Sequence, residues 1–200
     1  WHPKATRLVI VTGVSERDRR WEARMQREAA RFAGRASVEF LAGLPTAEIA
    51  ARLGRLGGDS VVFTPGYQLD GAGQHIWPRD SVAVLAAASR APVYAPMLTF
   101  LGTGIVGGHM VSFEKMGRDA GQVVNRLLAG AAPDSLRLPP VAPATLNVDW
   151  RQVRRWGIAE RDVPAGTVVH FRDPPFLEAH FAETIGAVLV FALQAALIGL

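Results

Sequence analysis

Between Arg7 and Gly130 the chain alternates two hydrophobic periods. The runs Arg7-Leu-Val-Ile-Val-Thr12, Ser37-Val-Glu-Phe-Leu41, Asp59-Ser-Val-Val-Phe-Thr64 and Pro92-Val-Tyr-Ala95 are short and nearly continuously apolar. Each stops at or near a glycine or proline, the pattern of a buried strand. Helical spacing fills the intervals. Trp21, Met25, Ala29 and Phe32 share one face and end at Gly34. Thr46 opens a helix carrying Ile49, Leu53 and Leu56. Pro78 opens one carrying Val82, Leu85 and Ala86. A long helix over 113–129 aligns Met116, Ala120, Val124 and Leu127. This alternation predicts an α/β fold, a doubly wound parallel sheet with flanking helices. Such sheets bind ligands beyond the carboxyl ends of their strands, near the point where strand order reverses. The loops after Thr12, Thr64 and Ala95 are therefore the ones to watch.

The pattern changes after Gly130. Residues 131–143 contain four prolines and read as an extended connector. Asp149–Trp156 reads as a short helix and Thr167–Phe171 as a brief strand. Residues 184–200 hold no charge and a single polar amide, Gln194. As a helix they cover roughly 25 Å of a hydrocarbon core about 30 Å thick. Their apolar residues occupy every face, so a truncated transmembrane helix is expected, with Glu178, His180 and Glu183 at the water boundary. The expected organisation is an α/β lobe over 1–145, a membrane-proximal connector over 146–176 and the membrane helix over 177–200.

Composition narrows the chemistry. The chain has 22 Lys+Arg against 18 Asp+Glu, and the basic residues are nearly all arginine, scattered without interleaved aromatics; no nucleic-acid partner is expected. It has no cysteine, which excludes disulfides, thiolate metal sites and a cysteine nucleophile. The five histidines show no metal-ligand spacing, and the serines lack a nucleophile-elbow context. No metal and no cofactor are expected. Gly102-Thr-Gly104-Ile-Val-Gly107 matches a dinucleotide fingerprint literally, but the following Gly-His-Met-Val-Ser reads as strand or hinge rather than as the helix that would hold a pyrophosphate. An enzyme using flavin or NAD is kept as an alternative on that run alone. The loop from Thr64 to Trp77 is richer, because it gathers hydroxyl, amide, carboxylate and aromatic groups beyond a strand end. An ordinary turn at Asp70-Gly71 is the other reading. Gly13, Ser15 and Asp18 are candidates for the same mouth, with helix capping as their alternative.

Several stretches resemble the extracytoplasmic ligand-binding region of bacterial membrane-bound sensor histidine kinases, which is related to the substrate-binding proteins of ABC transporters. They are Val9–Asp18, Asp70-Gly-Ala-Gly73, Ala91-Pro-Val-Tyr94, Gly104–Ser112 with the helix after it, and Asp149–Ile158. Together they span roughly residues 7 to 175. The resemblance implies one lobe of a type I periplasmic-binding-protein-like clamshell, most of the other lobe and the kinase lying outside these 200 residues. It implies a small-molecule ligand held between lobes by Ser15, Thr64, Tyr67, Gln68, Asp70, Met97 and Thr99, with Gly102, Gly104 and Gly107 as the hinge. It further implies a bacterial inner-membrane protein with residues 1–180 in the periplasm, a homodimer at full length, and signalling through residues 184–200. A membrane-anchored binding component of an ABC transporter is the alternative.

Overall fold

The computed structural model describes residues 1–136, 144–172 and position 194. Trp1–His170 form one compact unit and Phe171–Leu200 a second, of which only Phe171, Arg172 and Gln194 are described. Among the described residues no helix is long and apolar enough to cross a membrane. The helix expected over 184–200 lies outside them apart from Gln194.

The first unit is built on β1 (Arg7–Thr12), β2 (Ser37–Ala42), β3 (Ser60–Phe63), β4 (Val93–Tyr94), β5 (Gly107–Val111), β6 (Ala144–Asp149) and β7 (Val168–His170). They form one sheet in the order β2-β1-β3-β4-β5-β6-β7. The helices are α1 (Glu16–Ala29), α2 (Thr46–Leu53), α3 (Pro78–Ala88), α4 (Phe113–Leu128) and α5 (Trp150–Arg155). Strands β2 through β5 pair in parallel. Strand order reverses between β1 and β3, so the loops after Thr12 and Thr64 flank the switch point.

The sheet is not parallel throughout, which corrects the expectation. β6 runs antiparallel to β5, and β7 pairs in parallel with β6. Much of the segment expected as a connector, 146–176, thus supplies β6, α5 and β7 to this same sheet. β6 escapes a periodicity reading because Asn147 and Asp149 are buried within it. Both are satisfied by other residues: Asn147 Nδ2 donates to Thr145, Asn147 Oδ1 lies 2.9 Å from His170 Nε2, and Asp149 caps α5 by accepting from Arg151 N at 3.0 Å.

Strand alternation decides which residues enter the core. Val9, Val11, Val62 and Val93 meet Ile49 and Leu53 of α2 and Val82 and Leu85 of α3, all buried. Full burial of each such side chain contributes about 1.5–3 kcal/mol. Leu8, Ile10, Val61 and Phe63 point the other way, towards Met25 and Ala29 of α1 and Phe32 of the turn after it, around a cavity of about 740 Å³. That cavity lies against β1, the end of α1 and the residues before β1, and Ser15, Gln68 and Asp70 do not line it. α4 is capped by Ser112 and leaves Phe113, Met116, Val124 and Leu127 exposed, so its apolar face buries nothing among the described residues.

Gly107, read as a hinge, is paired on both sides, with Tyr94 of β4 and Val148 of β6. Its φ is +150°, and a Cβ there would stand 2.1 Å from Asn147 O and 2.9 Å from Val148 Cα. Gly107→Ala is expected to cost about 3 kcal/mol or more and to detach β6 from β5. Amide exchange would show it as lost protection across β6 and β7. Unchanged protection would contradict this account of the junction.

Candidate functional site

The mouth at the switch point is made by two loops. The first, Gly13 to Ser15, leads from β1 into α1. Ser15 caps α1 in a reciprocal box: Asp18 N donates to Ser15 Oγ at 3.1 Å, and Ser15 N donates to Asp18 Oδ2 at 3.2 Å. The second loop, Thr64 to Trp77, leads from β3 into α3, whose first residue is Pro78. Asp18 serves both loops, because Gln68 N also donates to its Oδ2, at 3.2 Å. Val14 N donates to Leu69 O at 2.9 Å. A Cβ on Gly13 would meet Leu69 O at 2.3 Å, so only a glycine lets the loops approach this closely.

Between them lies a cavity of about 420 Å³ lined by Ser15, Gln68, Leu69, His75, Ile76, Trp77 and Pro78. Trp77 is 78% exposed. Below the mouth, Thr12 Oγ1 and Asp18 Oδ1 are buried without a hydrogen-bond partner; the Arg17 guanidinium stands 3.6 Å from Asp18 Oδ1. Among the described residues no group of His, Asp or Glu is arranged to hold a metal. The Gly102–Gly107 run leads into β5 and not into a helix, so it lacks the geometry that cradles a pyrophosphate.

The structure sorts the sequence-predicted residues. Ser15 and Gln68 line the cavity. Thr64 is buried, its hydroxyl donating to Val11 O at 3.0 Å and accepting from Gly66 N at 3.1 Å. Tyr67 is fully buried; its N–H donates to Ser81 Oγ at 3.1 Å and its hydroxyl to Thr46 Oγ1 at 3.0 Å. Burial raises the Tyr67 pKa; the Thr46 hydrogen bond opposes this, and the charges of Asp70 and Asp18 add to it. Asp70 is 1% exposed and accepts four hydrogen bonds, from Thr46 N, Thr46 Oγ1, Ala72 N and Gln74 N, at 2.8–2.9 Å. Burial alone would raise its pKa, but these bonds outweigh it and hold the carboxyl below its ordinary value. Asp70 and Tyr67 therefore anchor the loop to the start of α2. Met97 and Thr99 flank the turn after β4, where Thr99 O accepts from Arg79 Nη1; neither lines the cavity. Gly102 and Gly104 lie between that turn and β5, with φ of +84° and +101°.

Solved structures share this architecture. The chain is similar to the ligand-free, open structure of a substrate-binding protein with adhesive properties from Clostridium difficile, with a TM-score of 0.61 and 18% identity over 84% of this chain. It is similar to an ABC domain in complex with L-Trp from Streptococcus pneumoniae, with a TM-score of 0.56 and 17% identity over 83% of this chain. A conserved domain protein from Vibrio cholerae matches with a TM-score of 0.56 and 15% identity over 84% of this chain. The chain shares its fold with part of each of these proteins. It spans only 55–56% of the length of these proteins. No family model matches the sequence, and no curated protein matches it.

Of the cavity lining, sequence reasoning names Ser15 and Gln68 singly and Leu69, His75, Ile76 and Trp77 only as part of the Thr64–Trp77 loop; it does not reach Pro78 as lining or Thr46 as the partner of Asp70. His75 has no metal-ligand spacing to mark it in the sequence, and it is exposed. Thr46 had been read as a helix cap. The cap position is Pro45, and Thr46 turns its hydroxyl to a residue 24 positions away, a contact with no local signature.

Proposed function

We propose that residues 1–170 are one lobe of an extracytoplasmic clamshell that binds a small molecule at the cavity beside Ser15, Gln68, His75 and Trp77. Closure on the ligand passes through a membrane helix at 184–200 to a cytoplasmic histidine kinase, in a homodimeric inner-membrane protein with this lobe in the periplasm. The observation that carries the reading is the cavity itself. It lies at the carboxyl ends of β1 and β3, where strand order reverses, in a fold shared with substrate-binding proteins. The exposed Trp77 and the exposed apolar face of α4 support a second lobe, since both are surfaces that apposed protein would cover. A ligand with higher affinity for the closed arrangement shifts the population towards it.

A membrane-anchored binding component of an ABC transporter has equal support, because one of the similar structures is described as an ABC domain holding L-Trp. Isothermal titration of the full-length protein against a metabolite panel tests the binding shared by both readings. One compound is expected to bind at a single site, and a panel without any binder would overturn the reading. Reconstituted in vesicles with that compound and ATP, the sensor changes its rate of histidine autophosphorylation. A protein that is not phosphorylated and co-purifies with a permease and an ATPase belongs to the transporter reading.

A further inference from the structure

From the walls of the 420 Å³ cavity we infer that this lobe recognises the flat, uncharged heteroaromatic ring of a nucleobase-like ligand, stacked on Trp77 and read along its edge by Gln68, His75 and Ser15. The inference rests on the binding reading above and deepens it. Three observations carry it. First, none of the lining residues Ser15, Gln68, Leu69, His75, Ile76, Trp77 and Pro78 is an Asp, Glu, Lys or Arg. The charge closest in the network, Asp18, is 1% exposed and holds the backbones of Ser15 and Gln68, both at 3.2 Å. A ligand whose recognised part is charged would find no opposite charge on this wall, and burying it there would be costly.

Second, the lining is largely apolar and includes an indole. Leu69, Ile76 and Pro78 form the wall beside the Trp77 indole, which is 78% exposed. An exposed indole beside a cavity offers a stacking face to any flat ring, whatever its substituents. A branched aliphatic side chain makes poorer use of a flat surface, and the titration below separates a base from a sugar.

Third, the polar groups that line the cavity are uncommitted. The Gln68 carboxamide and the His75 ring make no hydrogen bond to the other described residues, and the Ser15 hydroxyl, which accepts from Asp18 N, keeps its proton for another acceptor. A carboxamide presents a donor and an acceptor side by side, the complement of the amide or amidine edge of a nucleobase. The loop clamp at Asp18 sets the backbones of Ser15 and Gln68 at a fixed separation, so both side chains start from one wall of the cavity.

The test is isothermal titration of the full-length protein with adenine, uracil, glucose and leucine, each on the wild type and on Trp77→Ala, Trp77→Phe and Gln68→Ala. All three substitutions fall on exposed side chains, and circular dichroism checks that the fold is kept. At least one base is expected to bind. Trp77→Ala weakens it by about tenfold or more, Trp77→Phe retains most of the affinity, and Gln68→Ala weakens it by about tenfold. Binding of glucose or leucine without either base overturns the ring assignment while leaving the lobe a binding lobe. A base that binds Trp77→Ala as tightly as wild type overturns the stacking role and the inference with it. No heat from any of the four also overturns the inference, and the metabolite panel then decides separately whether the lobe binds anything.

Discussion

Asp70→Ala is expected to lower stability by about 4 kcal/mol, because it leaves the backbone N–H groups of Thr46, Ala72 and Gln74 and the Thr46 hydroxyl without their charged acceptor. For a chain of this size that is a fall in melting temperature of about 8–16 °C. Asp70→Asn is expected to cost nearly as much. All four hydrogen bonds point at oxygen lone pairs, and an amide –NH₂ would set donor against donor. The pH dependence has a definite sign. The folded carboxyl is held below its ordinary value of 3.8 by these bonds, so its stabilisation is complete above the unfolded pKa and is lost as the pH falls through the folded one. Wild type and Asp70→Ala should therefore differ widely in melting temperature at pH 7 and begin to converge only as the pH falls below about 4. Equal melting at pH 7, with only ligand affinity reduced, would make Asp70 a ligand contact after all.

Gly13→Ala is expected to separate the two loops that form the mouth. The new Cβ would stand 2.3 Å from Leu69 O, 2.6 Å from Asp18 Oδ2 and 2.7 Å from Tyr67 Cβ. Two of these atoms belong to the loop after β3 and one to the carboxylate that joins that loop to α1, and no flexible side-chain end is available to yield. A cost of about 3 kcal/mol or more is expected, together with loss of the Val14 N to Leu69 O bond. Amide exchange at Val14 and Gln68 reports the separation directly. Gly73→Ala is the control: its φ of +79° also disfavours a side chain, but no atom lies within 4 Å of the Cβ, so only the backbone cost of about 1 kcal/mol is expected. If both variants melt alike, close approach is not what requires a glycine at position 13.

The two variants also separate two meanings of a polar loop residue. Ser15 and Gln68 face the cavity, whereas Thr64, Tyr67 and Asp70 face the protein. All five stand in the same two loops and belong to residue types that contact ligands or hold turns equally well. Local pattern therefore located the mouth but did not distinguish its lining from its struts. Burial makes that distinction, through bonds such as Tyr67 to Thr46 that join residues 21 positions apart.

The elements through β4, and α4, were legible because each is a short-range pattern, whereas β5 reads from sequence only as strand or hinge. Val9 and Val11, Ile49 and Leu53, and Val82 and Leu85 repeat at the spacing of the strand or helix they build, and a glycine or proline closes each run. The position of the mouth follows from that order, since reversal between β1 and β3 is a property of connectivity. β6 was not legible. Its burial of Asn147 and Asp149 contradicts a hydrophobic pattern until His170 and the start of α5 are brought beside them. The pairing of Gly107 with β6, the four bonds converging on Asp70 and the sharing of Asp18 between two loops likewise exist only once distant segments meet, because a hydrogen bond or a steric limit between residues far apart in the chain leaves no periodic trace in either one.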